Sequence, residues 1–489
     1  MSKPFQLFSR KIYISVFLSL FSLSVTGQVR ESEVVIDLGN LPVVKIEAQT
    51  GSRRNLSFLK SIAGVDKLSD RISGVQVRQG SASLAIRRLG DGEYVSESDF
   101  DSVSYELDLS PMKSQTSSAH VSWFAKDVGI LMGADLLPQL TKGPISIRFL
   151  NGPSIFAIHS SEMQEEDGRF TTSDPENSVF FVGSGWRAEK TFRYKQSAQC
   201  NVSGEWLFAD SDSTTMVADL LVQYQKLFRD VEPLPNVQVG IVRFPLPVSH
   251  GAWEAETRGG SVIIVSSDMP FKTQSLQRLH EQLRHELFHL WIPNRLNLTG
   301  NYDWFYEGFA LYESLKLAVA LNRIRFEDFL DTLSRAHTID GAQSQRISLV
   351  QASRNRFGGS NTQVYARGML VAFLADLAIM EQSKGPASIE DVLRELYRTH
   401  GRQAAPMDGN DAVIQIMKAR PGMSSIVEKY VAGADKIDWT KELAASGIED
   451  MDAGPITTLR VKEKLKGSQK AMLDKLGYNN WRKLSGTSK

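Results

Sequence analysis

HELFHLWIPNRLNLTGNYDWFYE, running from His285 to Glu307, sets two histidines four residues apart with an acid beside the first, and a further acid after an intervening turn-rich stretch. Four residues is just over one helical turn, so His285 and His289 project on one side and can grip a single metal ion. Chance explains the pattern poorly. With 8 His and 56 Asp+Glu in 489 residues, about 0.015 matches to His-acid-x-x-His are expected at random. Leu276, Leu279, Leu283, Leu287 and Leu290 recur at steps of three and four and form the core-facing stripe of the same helix. His285 lies roughly 200° around the helix from Leu283, which sets the histidines off that stripe. A plain surface pair of histidines is the competing reading.

Catalytic zinc takes three protein ligands and keeps one position open, so two histidines need one more donor close in space. Glu307 is the leading candidate. It sits on a second helix that Asp303 is placed to cap, with Phe305, Phe309 and Tyr312 on the apolar face. Pro293 and the polar stretch Asn294 to Asn301 end the first helix and let the chain turn back. The bland alternative makes Glu307 an ordinary helix acid. Glu286, next to the first ligand, is expected to act as general base towards an attacking water. One zinc per chain follows.

Composition frames this site. At 489 residues and 42% hydrophobic, the chain is long enough for several domains with proper cores. The formal net charge is zero, which gives no global electrostatic case for nucleic acid or an anionic membrane. Lys3, Arg10 and Lys11 precede an apolar run from Ile12 to Phe21, and Val25 and Gly27 fit the small-residue pattern before a signal-peptidase cut. We expect an exported, periplasmic or secreted chain with residues 1–27 removed; an uncleaved signal anchor is the alternative. No later run is expected to span a membrane. The lone cysteine, Cys200, cannot form an internal disulfide and reads as a small buried hydrophobe.

The texture of the chain changes once. Short β-rich runs recur between turn signals, among them Val34 to Leu38, Val43 to Glu47, Tyr105 to Leu109, Ile145 to Leu150 and Val179 to Val182. After Thr214 the period becomes helical, interrupted by two obvious strands, Val237 to Phe244 and Val262 to Val265. The expected organisation is α+β multidomain: a β-sandwich over residues 28–187, a mainly helical catalytic domain over 188–450, and a basic tail over 451–489. That tail suits an anionic partner, or is simply a solvated helical end.

These residues resemble the gluzincin metallopeptidases, both the aminopeptidase N family and the glycyl aminopeptidase family, whose members often carry a PDZ domain. The segment HELFHLW, the pair Asn294-Arg295 and the segment EGFALYES from Glu307 look like the zinc-site region of both. Gly251-Ala252-Trp253-Glu254 is similar to the Gly-x-Met-Glu-Asn segment whose glutamate holds the substrate's free amino group. Tyr365-Ala366-Arg367-Gly368 looks like the Tyr-x-Lys-Gly motif whose tyrosine supports the oxyanion. The resemblance implies a thermolysin-like catalytic domain, substrate contacts from Gly251, Ala252 and Glu254, and oxyanion stabilisation by Tyr365. Two positions depart from the pattern, with Ala255 where Asn or His is usual and Ser314 where an acid is usual. The chain after Glu449 is too short for a PDZ domain.

Three functions stay open on sequence alone: an exported zinc aminopeptidase acting on peptides or unfolded protein, a zinc endopeptidase, and an inactive peptidase-like binding protein. An intact Glu286 favours the enzymes. Glu254 is the expected discriminator between the first two, because an aminopeptidase needs a carboxylate in the cleft to hold an ammonium group.

Overall fold

The amino-terminal strands follow the alternation of their apolar residues. Val34, Ile36, Val44, Ile46, Ala48, Val103, Tyr105 and Leu107 are all buried. Register puts Ile36 opposite Ile46 and Ile46 opposite Tyr105, so one face of three adjacent strands is continuously apolar. The computed structural model describes residues 32–480 except 115, 140–142, 231–233 and 453–456. The signal segment expected at 1–27 and the end of the basic tail lie outside the described residues. Among the described residues, nine strands form this outer sheet, built around Ser32–Asp37, Val43–Ser57 and Glu93–Asp108.

A second sheet of four strands lies against it, with Val128–Met132 and Val179–Gly183 at its centre. Those two central strands are buried at every position, which fits their unbroken runs VGILM and VFFVG. Alternate residues serve two cores. Leu131, Phe180 and Val182 pack with the outer sheet, whereas Ile130, Met132, Val179 and Phe181 pack with Val242, Ile263 and Val265 further along the chain. The amino-terminal region is therefore the expected β-sandwich, with its inner sheet covered on both sides.

The third layer is a five-stranded sheet. Its strands are β1 (Arg187–Arg193), β2 (Gln196–Val202), β3 (Val237–Arg243), β4 (Trp253–Arg258) and β5 (Ser261–Ser266), in spatial order β1-β2-β3-β5-β4. Gly240 of β3 is needed here, because a Cβ at that position would lie 2.2 Å from the ring of Phe181. β4 is an edge strand, antiparallel to β5. Sequence reading finds β3 and β5 but not β4, whose residues WEAETR include three charges and only two apolar side chains, Trp253 and Ala255.

Helices cover the other face of this sheet. Helices α1 (Asp210–Phe228) and α2 (Lys272–His289) bury Leu220, Leu221, Leu283 and Leu287 against Val239, Ile241, Val262 and Ile264. Cys200 is buried in the same core, and burial pushes its thiol up to about 12. Helices α3 (Asp303–Ala320) and α4 (Asn361–Gln382) complete the site layer. The run Arg356–Gln382 is long and apolar enough to cross a membrane, but 89% of its apolar window is buried inside the protein, as a core helix would be.

Candidate metal centre

The leucine stripe that sequence reading assigns to α2 is the stripe that packs inward, with Leu279, Leu283 and Leu287 buried. The opposite side of its last turn carries His285, Glu286 and His289 into a cleft of about 360 Å³. Just past the helix, Asp230 accepts hydrogen bonds from Trp291 Nε1 at 3.0 Å, Arg295 Nη1 at 2.9 Å and Tyr397 OH at 2.9 Å. This buried three-way contact fixes the chain where it turns back towards α3.

Helices α3 and α4 meet backbone to backbone at one point. A Cβ on Gly308 would lie 2.4 Å from the carbonyl carbon of Gly368, and one on Gly368 would lie 2.5 Å from the carbonyl oxygen of Trp304. That approach sets Glu307, the neighbour of Gly308, beside Tyr365, three residues before Gly368. The glycines of both motifs thus act through backbone contact.

The donor atoms converge. His285 Nε2 is 3.1 Å from Glu307 Oε2 and 3.1 Å from His289 Nε2, while His289 Nε2 is 3.6 Å from Glu307 Oε2. All three ligand atoms lie within 4.8 Å of one another. Two imidazoles and one carboxylate, each buried, form a donor set suited to zinc with an open position. His289 Nδ1 is 2.9 Å from the carbonyl oxygen of Ile292, which orients the ring. His285 Nδ1 has no partner among the described residues. Ser314, where relatives are expected to carry an acid, instead accepts from Arg284 Nε at 3.2 Å.

Glu286 is held by Thr257. Thr257 Oγ1 lies 2.7 Å from its Oε2 and 2.9 Å from its backbone oxygen. Burial raises the Glu286 carboxyl above its ordinary value, against the pull of the two histidines and Thr257. Burial would raise Glu307 as well, yet Arg356 and the histidines hold it well below the usual carboxylate range. Burial would lower His289, but Glu307 and Glu286 lift it to about 9. Tyr365 is pushed well above the normal phenol value, first by burial and then by the charge of Glu307, so its hydroxyl keeps its proton.

The structure brings His285, Glu286, His289, Glu307 and Tyr365 to one cleft. Gly251, Ala252 and Glu254 are not among its lining residues. Gly251 and Ala252 belong to the turn that precedes β4. Glu254 accepts backbone N–H bonds from Thr116 and Ala119, each at 3.1 Å, on a short helical turn 138 and 135 residues away. Its carboxyl is raised by burial in spite of those bonds. The cleft takes Ala255, Glu256, Thr257 and Arg258 from β4 instead. Glu256 faces His120 at 3.5 Å and Arg258 at 3.4 Å. Glu254 and Glu256 are two residues apart and share one face of the strand, so which of them reaches the cleft depends on neighbours that a motif match does not contain.

Asp303 also departs from expectation. Tyr302 occupies the cap position without a capping side-chain bond, and Asp303 pairs with Arg356 at 2.9 Å. Sequence reading missed Arg356, Thr257 and His120, none of which carries a signal by spacing. The β-sandwich supplies part of the wall through Ala63, His120 and Asn177.

Comparison with family models gives no match, and comparison with curated proteins gives none. Solved structures do match. An aminopeptidase N family protein from Idiomarina loihiensis superposes with a TM-score of 0.71 at 17% identity, covering 86% of this chain and 79% of that one. The chain shares the fold of that protein. An M1 zinc metallopeptidase from Deinococcus radiodurans gives a TM-score of 0.52 at 14% identity, over 83% of this chain and 94% of that one. A mutant of an M1 zinc metallopeptidase from that organism, bound to a Tyr-Ser-Ala substrate, gives 0.53 at 13% identity, over 82% and 93%. The fold class read from the sequence, a β-sheet region followed by a mainly helical domain, agrees with these neighbours, and the aminopeptidase N resemblance meets its own fold.

Proposed function

We propose that this chain is an exported zinc peptidase that removes residues from the amino terminus of peptides or unfolded protein. The observation that carries it is the convergence of His285, His289 and Glu307 beside a buried, Thr257-held Glu286, with Tyr365 in the same cleft. The fold shared with M1 zinc metallopeptidases, one of them bound to a Tyr-Ser-Ala peptide, supports a peptide substrate. The basic and apolar pattern of residues 3–27 supports export.

His285, His289 and Glu307 would hold one zinc ion, which when bound lowers the pKa of a water and polarises a carbonyl. The protein's own groups divide the remaining work. Glu286, its carboxyl raised by burial, takes the proton of the attacking water and passes it to the leaving amine. Tyr365, still protonated, donates to the oxygen on which negative charge develops. Glu256 is the cleft carboxylate beside the metal helix and is the group we assign to the substrate ammonium, in place of Glu254.

An endopeptidase is the second reading, favoured by the engagement of Glu254 with backbone N–H groups of the sandwich. Zinc quantification combined with cleavage of free and N-acetylated peptides separates the two. About one zinc per chain and a strong preference for free amino termini are expected. Equal cleavage of both, with internal products, would make it an endopeptidase; no zinc and no cleavage would end the peptidase reading.

A further inference from the structure

Arg356 has no counterpart in the motifs read from the sequence, yet its side chain touches three groups of the site. Its Nη1 lies 2.9 Å from Asp303 Oδ1 and 3.0 Å from Glu307 Oε1. Its Nη2 donates to the hydroxyl of Tyr365 at 2.6 Å, and its Nε donates to Asn361 at 3.2 Å. The side chain is only 14% exposed, and the guanidinium lies 5.2 Å from the centre of the Tyr365 ring. A guanidinium is flat and rigid, so these contacts form one unit of fixed geometry. It begins the turn Arg356–Ser360, kinked at Gly359 (φ 119°), that leads into α4.

Two consequences follow. A phenol proton lies near the ring plane, pointing to one side or the other; an N–H arriving from one side leaves only the other for the proton. Arg356 therefore directs the O–H of Tyr365 away from itself. By occupying Glu307 Oε1, it also leaves Oε2, the oxygen facing both histidines, as the ligand atom.

We infer that Arg356 is the positioning residue of this site, fixing the hydroxyl of Tyr365 and the ligand carboxylate of Glu307 in a single frame. The inference rests on the peptidase reading above, because it concerns the oxyanion donor of that reaction. Its ion pairs with Asp303 and Glu307 leave it no net charge to offer an acidic substrate, so it acts through these partners.

The test compares Arg356→Met, Arg356→Lys, Tyr365→Phe and the double variant Arg356→Met/Tyr365→Phe. Tyr365→Phe should lower kcat by roughly 10²-fold, the usual effect of removing one oxyanion donor. Arg356→Met should lower kcat by a similar factor with KM unchanged. Arg356→Lys should resemble it, since one ammonium group cannot span three acceptors. The double variant should be no slower than the slower single one. Independently of turnover, calorimetry in excess zinc should show a phosphinic peptide that mimics the tetrahedral state binding more weakly to both arginine variants, in step with kcat, and zinc affinity should fall in the arginine variants but not in Tyr365→Phe. Wild-type kcat in Arg356→Met, multiplied losses in the double variant, or a zinc affinity unchanged in both arginine variants would overturn the inference. If Arg356→Met fails to fold, Arg356→Lys and its analogue affinity decide alone. A wild type without peptidase activity would fail the parent reading, whereas an active wild type with the wrong variant pattern would fail only this one.

Discussion

The end of α2 and the edge strand β4 flank the same cleft, yet one is readable from spacing and the other is not. On α2, residues four apart share a side because the helix repeats nearly every four residues, and no distant contact can change that. On β4, Glu254 and Glu256 share a face, and which of the two reaches the cleft is decided by chain segments far away. Glu254 shows the difference. It satisfies amide groups of Thr116 and Ala119, while Glu256 two positions on reaches the cleft.

The largest effects belong to the helix. His289→Ala should empty the metal site, and zinc analysis of the purified chain checks it; stoichiometric zinc in that variant would discard the ligand assignment. Glu286→Gln keeps shape and cannot accept the water proton, so zinc should remain while turnover falls by roughly 10² or more. Hydrolysis at the wild-type rate would remove Glu286 from the mechanism.

Gly308→Val comes next. Its side chain would enter the backbone of Gly368, and overpacking of this kind costs about 1–3 kcal/mol. Thermal unfolding should show a lower Tm, and zinc should bind more weakly because Glu307 is displaced. A Tm and zinc affinity equal to wild type would mean the helices cross differently.

The smallest effects sharpen the strand side of the comparison. Glu254→Ala strips an acceptor from two backbone N–H groups and should cost about 1–2 kcal/mol of stability, with KM for free peptides unchanged. Glu256→Gln should do the reverse, raising KM for free peptides with little change in Tm. If Glu254→Ala alone raises KM, the motif match is right and the strand assignment is wrong.

The legible part of the molecule is the part whose geometry is local. His285, Glu286 and His289 follow from helical repeat, and the sandwich strands from alternating apolar residues such as Val34 and Ile36. Glu307 needs one further assumption, that the polar stretch after Pro293 turns the chain back. Tyr365 is reached only through resemblance, because 58 residues separate it from Glu307 and nothing in its surroundings encodes the helix crossing. Arg356 and Thr257 were invisible for the same reason, since their partners are brought to them by tertiary packing. The charged strand β4 hides among loop residues, because three of its six residues are charged and only Trp253 and Ala255 are apolar.

The inner sheet, apolar on both faces, makes the sandwich more than an appendage. Its outward neighbour is the rest of the sandwich, and its inward neighbour is the floor on which the metal helix stands. Severing the chain near residue 187 would leave Val242, Ile263 and Val265 bare to water, and Phe181 would no longer fill the notch at Gly240. The cleft would also lose His120 from its wall. The helical half of this protein is therefore not portable: it cannot be lifted out and grafted elsewhere without the scaffold that precedes it.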